Sequence, residues 1–471
     1  MPLYNQPVRL QKLSLESFAK YLSDICVRLV NSGRSSSASS EEEALATCRR
    51  LRCIIHDSIP YSMANYITSE ILKHLDSRYH DIRGCINFFP CKNILQHFVK
   101  AVLHPQVTEL DITGEWKYIS NVVLNQMETF SQLRVLRFCV RNEQSYRKIS
   151  RHDSFKHFLP KCLCYLKNLK CFILPKYCSD EIISVLSRTA TGLTQLNVSG
   201  SSGVTDMSID IILNFPHLES LDVSKTGMSV SGYKYLVDAF GKRYDLQEFG
   251  LSFLNSTQIR SLAHCFPSLR RLSLNVEYSV RLYLNDTLQL LKGLEELKVS
   301  GCKSISMPSF ETLKVLELDV YDIDVQHLPA NCPRLEKLNI KTVFLKCSQL
   351  TSSFKYLYSL SIWTVHSHSV HTLLSAAPNL VTLQLFTTLT FYSDISVLKL
   401  LSESLNLLEN LFIGSLTGFI HPETLSVITR SCTKLTTFYV FGGAYEEMKS
   451  RYRDCAGVQI DPFNCWSLHI Q

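Results

Sequence analysis

The sequence is poor in charge and in tryptophan, and it lacks the short motifs that mark most enzymes. Charged residues make up 19% of its 471 positions, and it contains 3 tryptophans. No GxSxG, GxxxxGK[ST], HExxH or paired CxxC motif occurs. We therefore expect no catalytic residue, no cofactor and no metal, and a protein that is not an enzyme.

Long runs of one chemical character are missing as well. No 18 consecutive residues are apolar enough to span a bilayer, and the net charge of +7 is not gathered into a basic stripe. The N-terminus has no apolar segment after a basic start. We expect no membrane and no nucleic-acid partner, a cytoplasmic or nuclear location, and free thiols among the 17 cysteines.

What the sequence does contain is a phrase of the form LxxLxL, repeated fourteen times between Val107 and Phe441. Successive copies begin 19 to 36 residues apart, which is the period of leucine-rich repeats. The copies read VTELDI, LRVLRF, LKCFIL, LTQLNV, LESLDV, LQEFGL, LRRLSL, LEELKV, LKVLEL, LEKLNI, LYSLSI, LVTLQL, LENLFI and LTTFYV.

The phrase predicts an α/β fold. Side chains alternate between two faces of a strand, so the fourth and sixth residues point into a core while the third, fifth and seventh point outward. Stacked copies would form a leucine-rich repeat solenoid, with a curved parallel sheet inside and helices outside. Residues 101–443 are expected to form this solenoid, behind a small α-helical head at residues 1–100.

Aromatic residues gather on the predicted concave face of the late repeats. A solvated strand face has no structural need of them, and aromatic side chains are frequent anchors of protein interfaces. They predict a binding surface for a protein substrate. Alternatively, the C-terminal cap or tail, residues 444–471, folds back over them. The residues are Trp363, Phe386, Phe412, Tyr439 and Phe441.

The head is predicted to be helical with one break. Apolar residues recur at three- and four-residue steps in residues 12–30, and two further helices are expected on either side of Ile59-Pro60. Between the first two helices, NSGRSSSASSEEE at residues 31–43 predicts a flexible linker.

Two features resemble a known family. The return segments ending in Cys or Pro, the phrase GVTD from Gly203 to Asp206, and Cys302 resemble the cysteine-containing class of leucine-rich repeat, familiar from substrate receptors of ubiquitin ligases. Ser14-Leu15 with Ala19 resembles the box that binds Elongin C, although the usual Cys is here Ala19. With Ile59-Pro60 in the place of a cullin box, the head is similar to that of the Zyg-eleven and Zer-one receptors of cullin-two ligases, without their armadillo repeats.

The resemblance implies a substrate-recognition adaptor of a cullin-RING ubiquitin ligase. Leu15 and Ala19 would contact Elongin BC, Ile59 and Pro60 would contact the cullin, and the concave face would hold the substrate. Two alternatives stay open. Ile59-Pro60 with Ile71, Leu72 and Leu75 could begin an F-box for a Skp and cullin-one ligase, or the chain could be an interaction scaffold unconnected to ubiquitin.

Overall fold

The computed structural model describes residues 6–34, 38–82, 84, 89–113, 119–139, 154–241, 245–252, 256–276, 281–283, 288–347, 349–364, 368–387, 407–415, 434–441 and 459–460. Two compact units make up the chain, Met1–Leu218 and Glu219–Gln471. The first therefore contains the head together with the early repeats, and the head is not a separate unit.

The head is a bundle of helices in the first unit. Helix α1 buries Ala19, Leu22, Cys26 and Val30, which lie on one stripe of the helix. It packs against α2, α3 and α5, and α2 also packs on α5. The helices are α1 (Gln6–Ser32), α2 (Ala38–Ser58), α3 (Ala64–Ser77), α4 (Tyr79–Ile82) and α5 (Phe89–Val102).

The prediction of a flexible linker at residues 31–43 is wrong, because most of these residues are helical. Helix α1 continues to Ser32 and α2 begins at Ala38. Glu41 lies in the first turn of α2, where an acidic side chain is favourable, and its carboxylate accepts a hydrogen bond of 2.8 Å from Asn93 Nδ2 on α5. The serine and glutamate composition therefore starts a helix here.

The head covers the edge of the first strand, β1 (Glu109–Thr113). Asn65 of α3 donates a hydrogen bond of 3.0 Å to Thr108 Oγ1 and accepts bonds from the backbone N–H groups of Thr108 and Glu109, at 2.9 and 3.2 Å. An edge strand otherwise leaves such groups unpaired. The head thus satisfies the first repeat as a terminal cap does in a solenoid.

Three further parallel strands follow β1 in the first unit. Their register pairs Leu110 with Leu136, Leu136 with Phe172, and Phe172 with Leu196, so the fourth residue of each phrase stacks on the next. The strands are β2 (Val135–Cys139), β3 (Cys171–Ile173) and β4 (Gln195–Asn197). The return helices are α6 (Ile119–Leu124), α7 (Ser154–Leu163), α8 (Asp180–Thr189) and α9 (Ile209–Ile212).

The second unit contains the other ten phrases, each as a parallel strand. Along β11, the residues Leu316 and Leu318 are buried while Val315, Glu317 and Asp319 are half-exposed, as the phrase predicts. The strands are β5 (Ser220–Asp222), β6 (Glu248–Ser252), β7 (Arg271–Asn275), β9 (Glu296–Ser300), β11 (Val315–Asp319), β13 (Lys337–Thr342), β15 (Ser359–Thr364), β16 (Thr382–Thr387), β17 (Asn410–Ser415) and β18 (Thr437–Phe441).

The return segments of this unit contain both helices and short strands. A second parallel sheet of four short strands forms in the return segments that follow β7, β9, β11 and β13. Its strands are β8 (Arg281–Tyr283), β10 (Ser304–Ser306), β12 (Asp322–Asp324) and β14 (Phe344–Lys346). The helices are α10 (Val230–Phe240), α11 (Ser256–Cys265), α12 (Leu328–Asn331) and α13 (His368–Ser375).

The C-terminal segment adds one short strand to the larger sheet. Gln459 and Ile460 form β19, which pairs in parallel with β18. The remainder of residues 444–471 lies outside the described residues. The fold is therefore an α/β leucine-rich repeat with a helical N-terminal region, as the sequence predicted.

A candidate protein-binding surface

The candidate site lies on the face of the larger sheet that bears the third, fifth and seventh residues of each phrase. We call this the open face. In the second unit its first five strands, β5 to β11, are predominantly acidic, and the acidic groups are largely matched within the face. Arg271 lies 3.0 Å from Glu248, and Lys298 lies 2.9 Å from Glu296 and 3.3 Å from Glu317.

The ionised forms of these groups support one another. Burial alone lowers the pKa of Lys298, but Glu317 and Glu296 outweigh it and the net pKa is raised. Burial raises the pKa of Glu317, and Lys298 opposes this shift without cancelling it, so the net pKa of Glu317 is raised. Most carboxylates in this half of the face are thus in ion pairs, but five carboxylates outnumber two cations and this half remains net acidic.

The charge changes sign on the next strand. On β13, β15, β16 and β17, the described open-face residues carry two lysines, Lys337 and Lys341, and no carboxylate. Lys341 lies 3.1 Å from Asp319, and their side chains are 61% and 39% exposed. Lys337 lies 5.8 Å from the ring centroid of Tyr358, with no carboxylate at ion-pair distance among the described residues. The ion pair between Lys341 and Asp319 is exposed and therefore weak, and its two partners separate readily.

Two of the predicted aromatic anchors are stacked beside these lysines. The strand register places Lys341 opposite Trp363 and Trp363 opposite Phe386. The rings of Trp363 and Phe386 stack at 4.0 Å between centroids with 25° between their planes. Trp363 is half-buried and Phe386 is only 5% exposed, so Trp363 is the one that a partner can contact directly.

The other three anchors continue the pattern at the level of the backbone. Phe412 is half-buried on β17, and the register pairs it with Tyr439 on β18. Phe441 pairs with Gly414. The side chains of Tyr439 and Phe441 lie outside the described residues, so covering of the aromatic surface by residues 444–471 remains a prediction.

Unpaired buried polar atoms also occur on this face. In the described part of the chain, three open-face residues have a buried side-chain atom without a hydrogen-bond partner. Two lie in the second unit on neighbouring strands, Trp363 Nε1 and Asn339 Oδ1, and the third, Asp111 Oδ1, lies in the first unit. A buried donor without an acceptor costs about 1–3 kcal/mol. Such a cost at Trp363 is relieved if a partner supplies the acceptor.

In the head, the four residues expected to contact a ligase fall into different environments. Leu15 and Ile59 are half-buried and Pro60 is exposed, so all three have surface to offer. Ala19 is fully buried, which corrects its assignment to a partner contact. Its small side chain lies on the stripe of α1 that packs into the head, which the resemblance alone did not reveal.

The structure exposes a flank of α1 that the sequence analysis missed. Phe18 and Ile25 are half-buried and Tyr21 is 56% exposed, one helical stripe away from Ala19. Their spacing of three and four residues was visible in the sequence, but two apolar stripes on one helix cannot be ranked by spacing alone. Close to Pro60, Tyr61 is 73% exposed.

The residues of the F-box alternative are placed differently. Ile71 and Leu72 are fully buried and Leu75 is 1% exposed, in α3. They belong to the core of the head, where they pack against α1. This arrangement offers no surface at those three positions.

Neither a metal centre nor a membrane span is seen in the described part of the chain. No group of three or more His, Cys, Asp or Glu side chains there could hold a metal ion. No helix among those residues is both long enough and apolar enough to cross a bilayer.

No protein-family model matches the chain, and no curated protein matches it. Solved structures resemble the chain at low identity and with TM-scores below 0.5. The crystal structure of the Rad7 and Elc1 complex in yeast is 13% identical over 90% of this chain and 93% of that chain, with a TM-score of 0.44. An internalin from Listeria monocytogenes is 20% identical over 66% and 86%, with a TM-score of 0.32. A leucine-rich repeat protein of Leptospira interrogans is 13% identical over 78% and 92%, with a TM-score of 0.30.

Proposed function

We propose that the chain is a non-catalytic adaptor of a cullin-RING ubiquitin ligase. In this proposal the open face around Trp363 holds a substrate protein, and the head attaches the chain to Elongin BC and a cullin. The first part depends on the geometry of the sheet. The second depends on the resemblance of the head, together with the exposure of the residues that carry it.

The observation that carries the substrate-binding part is the environment of Trp363. Its ring stacks on Phe386, its indole N–H is buried without a hydrogen-bond acceptor, and lysines stand on the neighbouring strand. Tryptophan is among the residues that contribute most to interfaces, because it combines a large apolar area with one donor. A partner that covers the ring buries its apolar area, and a carbonyl of the same partner accepts a hydrogen bond from the indole N–H.

The ligase part is supported by what the head leaves accessible. Leu15 is half-buried in α1, and Phe18 and Tyr21 extend an apolar flank along the same helix. Pro60 and Tyr61 are exposed at the turn between α2 and α3. These are two separate apolar surfaces, as attachment to two ligase subunits requires.

A second function, an interaction scaffold unconnected to ubiquitin, is favoured by two other observations. Ala19 is buried in the head, and Asn65 of α3 makes three hydrogen bonds to the start of the first repeat. A head whose role is to cap the repeats would show the same features. The two functions share the open face and differ in whether the head has a partner.

Binding of purified subunits distinguishes them. The full chain should capture Elongin BC and not Skp-one, and Leu15→Asp should abolish the capture by placing a charge in an apolar contact. Leu290→Asp is the matched control, because Leu290 is 42% exposed and lies in the second unit.

The variants also need a check on folding, since Leu15 is half-buried. Thermal unfolding of Leu15→Asp should resemble that of the control. Pro60→Ser, at an exposed position, should weaken capture of the cullin without reducing capture of Elongin BC. A wild-type chain that captures neither Elongin BC nor Skp-one supports the scaffold instead.

A further inference from the structure

We propose that the substrate presents an extended peptide segment in which an acidic residue and a large apolar residue are separated by one residue. It binds the lysine–tryptophan surface, which we define as Lys337, Lys341, Trp363 and Phe386. This inference rests on the proposed substrate-binding role of the open face and specifies the chemistry of the segment bound there.

The acidic residue follows from the distribution of charge. In the second unit the open face carries its acidic groups on β5 to β11, where Arg271 and Lys298 pair with three of them at 2.9 to 3.3 Å. Across β13 to β17, only Lys337 and Lys341 are charged among the described open-face residues. A carboxylate placed above β13 meets two lysines, of which Lys337 has no carboxylate at ion-pair distance in the described part of the chain. A cationic segment at the same place would be repelled by Lys337 and Lys341, and the neighbouring carboxylates of Asp319 and Glu317 already interact with lysines of the face.

The apolar residue follows from the stack beside the lysines. Trp363 and Phe386 form a continuous aromatic area across two neighbouring strands, with Trp363 the more exposed of the two. The small polar residues Ser359 and Ser361 precede Trp363 on β15, and Thr382 and Gln384 precede Phe386 on β16. Phe412 on β17 lies opposite Gln384, so the stack of Trp363 and Phe386 is the part of the aromatic surface beside the lysines, and one large apolar side chain covers that part.

The spacing follows from the sheet. Neighbouring strands lie about 4.8 Å apart, so the line from Lys341 to the boundary between Trp363 and Phe386 spans one and a half strand spacings, about 7 Å. In an extended peptide, residues i and i+2 point to the same side and lie about 6.6 Å apart. A peptide that crosses the strands thus places its acidic residue over Lys341 and its apolar residue over the aromatic stack when a single residue separates them.

The intervening residue contributes through its backbone. Trp363 Nε1 is buried without an acceptor in the free chain. In the proposed complex the indole adopts a rotamer that turns this donor toward the bound segment. The carbonyl of an extended segment lying on the ring is then a suitable acceptor. This contact needs no particular side chain, which leaves the middle position unspecified.

The test is a selection of random displayed peptides on the immobilised full chain, followed by affinity measurements with one synthetic peptide from the selected pool. The pool should be enriched in an acidic and an apolar residue separated by one position, in either order along the peptide. Trp363→Ala should weaken the affinity for the synthetic peptide at least about 30-fold. Lys337→Ala with Lys341→Ala should weaken it about 10-fold and remove most of its salt dependence.

Lys303→Ala is the matched control and should leave the affinity unchanged, because Lys303 is exposed beside β10 of the smaller sheet. The two lysine substitutions also guard against misfolding, since both side chains are exposed and neither contributes to the core. The selection therefore does not depend on the folding of the Trp363 variant.

The outcomes separate this inference from the function beneath it. Selected peptides that need Trp363 but carry no acidic residue overturn the acidic segment and leave the open face as a binding site. A spacing of three or four residues overturns the extended conformation, because it is typical of a helix. Selected peptides whose affinity is unchanged by Trp363→Ala overturn both the inference and the substrate-binding role of this surface. The absence of any enrichment in the selection does the same.

Discussion

Gly250 should not tolerate a side chain, and Gly250→Ala tests the packing of the open face. Gly250 is buried on β6, and the register pairs it with Asp222 on β5. A Cβ atom built on Gly250 would overlap Asp222 Oδ1 and Cγ and would lie 3.0 Å from Asp222 Cβ. Asp222 cannot move without loss, because its Oδ1 accepts hydrogen bonds from Ser224 N at 3.0 Å and from Ser224 Oγ at 2.7 Å.

The magnitude follows from these contacts. Adding a methyl group where the neighbours cannot withdraw typically costs about 1–3 kcal/mol, and displacing the Asp222 carboxylate also weakens two hydrogen bonds worth about 1 kcal/mol each. We therefore expect Gly250→Ala to lower the free energy of unfolding by about 2–3 kcal/mol. Gly293→Ala is the matched control, since no atom lies within 4 Å of its added Cβ and the residue is exposed. It should be neutral or slightly stabilising.

The assay is urea unfolding of the full chain, monitored by circular dichroism and, for the second unit, by limited proteolysis. A double-mutant cycle with Asp222→Ala sharpens it. If the overlap is the cause, the double variant should be more stable than the sum of the two single effects by about 1–2 kcal/mol. Equal unfolding midpoints for Gly250→Ala and Gly293→Ala would refute the packing described here.

Two further predictions concern ionisable groups. Burial lowers the pKa of His56 and of His104, so protons bind the unfolded chain more readily than the folded one, and the free energy of unfolding should fall as the pH drops below 6.5. Urea unfolding at about pH 7.5 and about pH 5.5 measures this pH dependence. His104→Asn should reduce it, and His97→Gln, at an exposed site, should leave it unchanged. Burial raises the pKa of the Cys332 thiol to about 12, whereas Cys53 is exposed. Brief alkylation of the native chain near neutral pH should therefore modify Cys53 and spare Cys332, as read by mass spectrometry. Equal labelling of both cysteines would contradict the burial of Cys332.

The repeated phrase predicted the strands because one physical requirement fixes it. Leu316 and Leu318 must point into the core while Glu317 points away, and a strand has only two faces. All fourteen phrases contain a strand for this reason. The return segments obey no such strict alternation, which explains why β10 and β12 were not foreseen.

The sites were harder to predict because each depends on contacts between distant residues. Trp363 was identified from the phrase, but its stack on Phe386 and its unpaired N–H depend on the neighbouring strand. Ala19 was misassigned because a short motif does not reveal which stripe of α1 packs inward. Asn65, which caps the first repeat, had no signal in the sequence at all.

Emission from Trp363 tests the proposed binding surface most directly. The chain has 3 tryptophans, so a variant with Trp116→Phe and Trp466→Phe reports on Trp363 alone. Titration with a selected peptide that contains the acidic and apolar pair should shift the emission of Trp363 saturably, with the same midpoint as the binding curve. A peptide that binds fully while this emission stays constant would show that the substrate is held elsewhere on the chain.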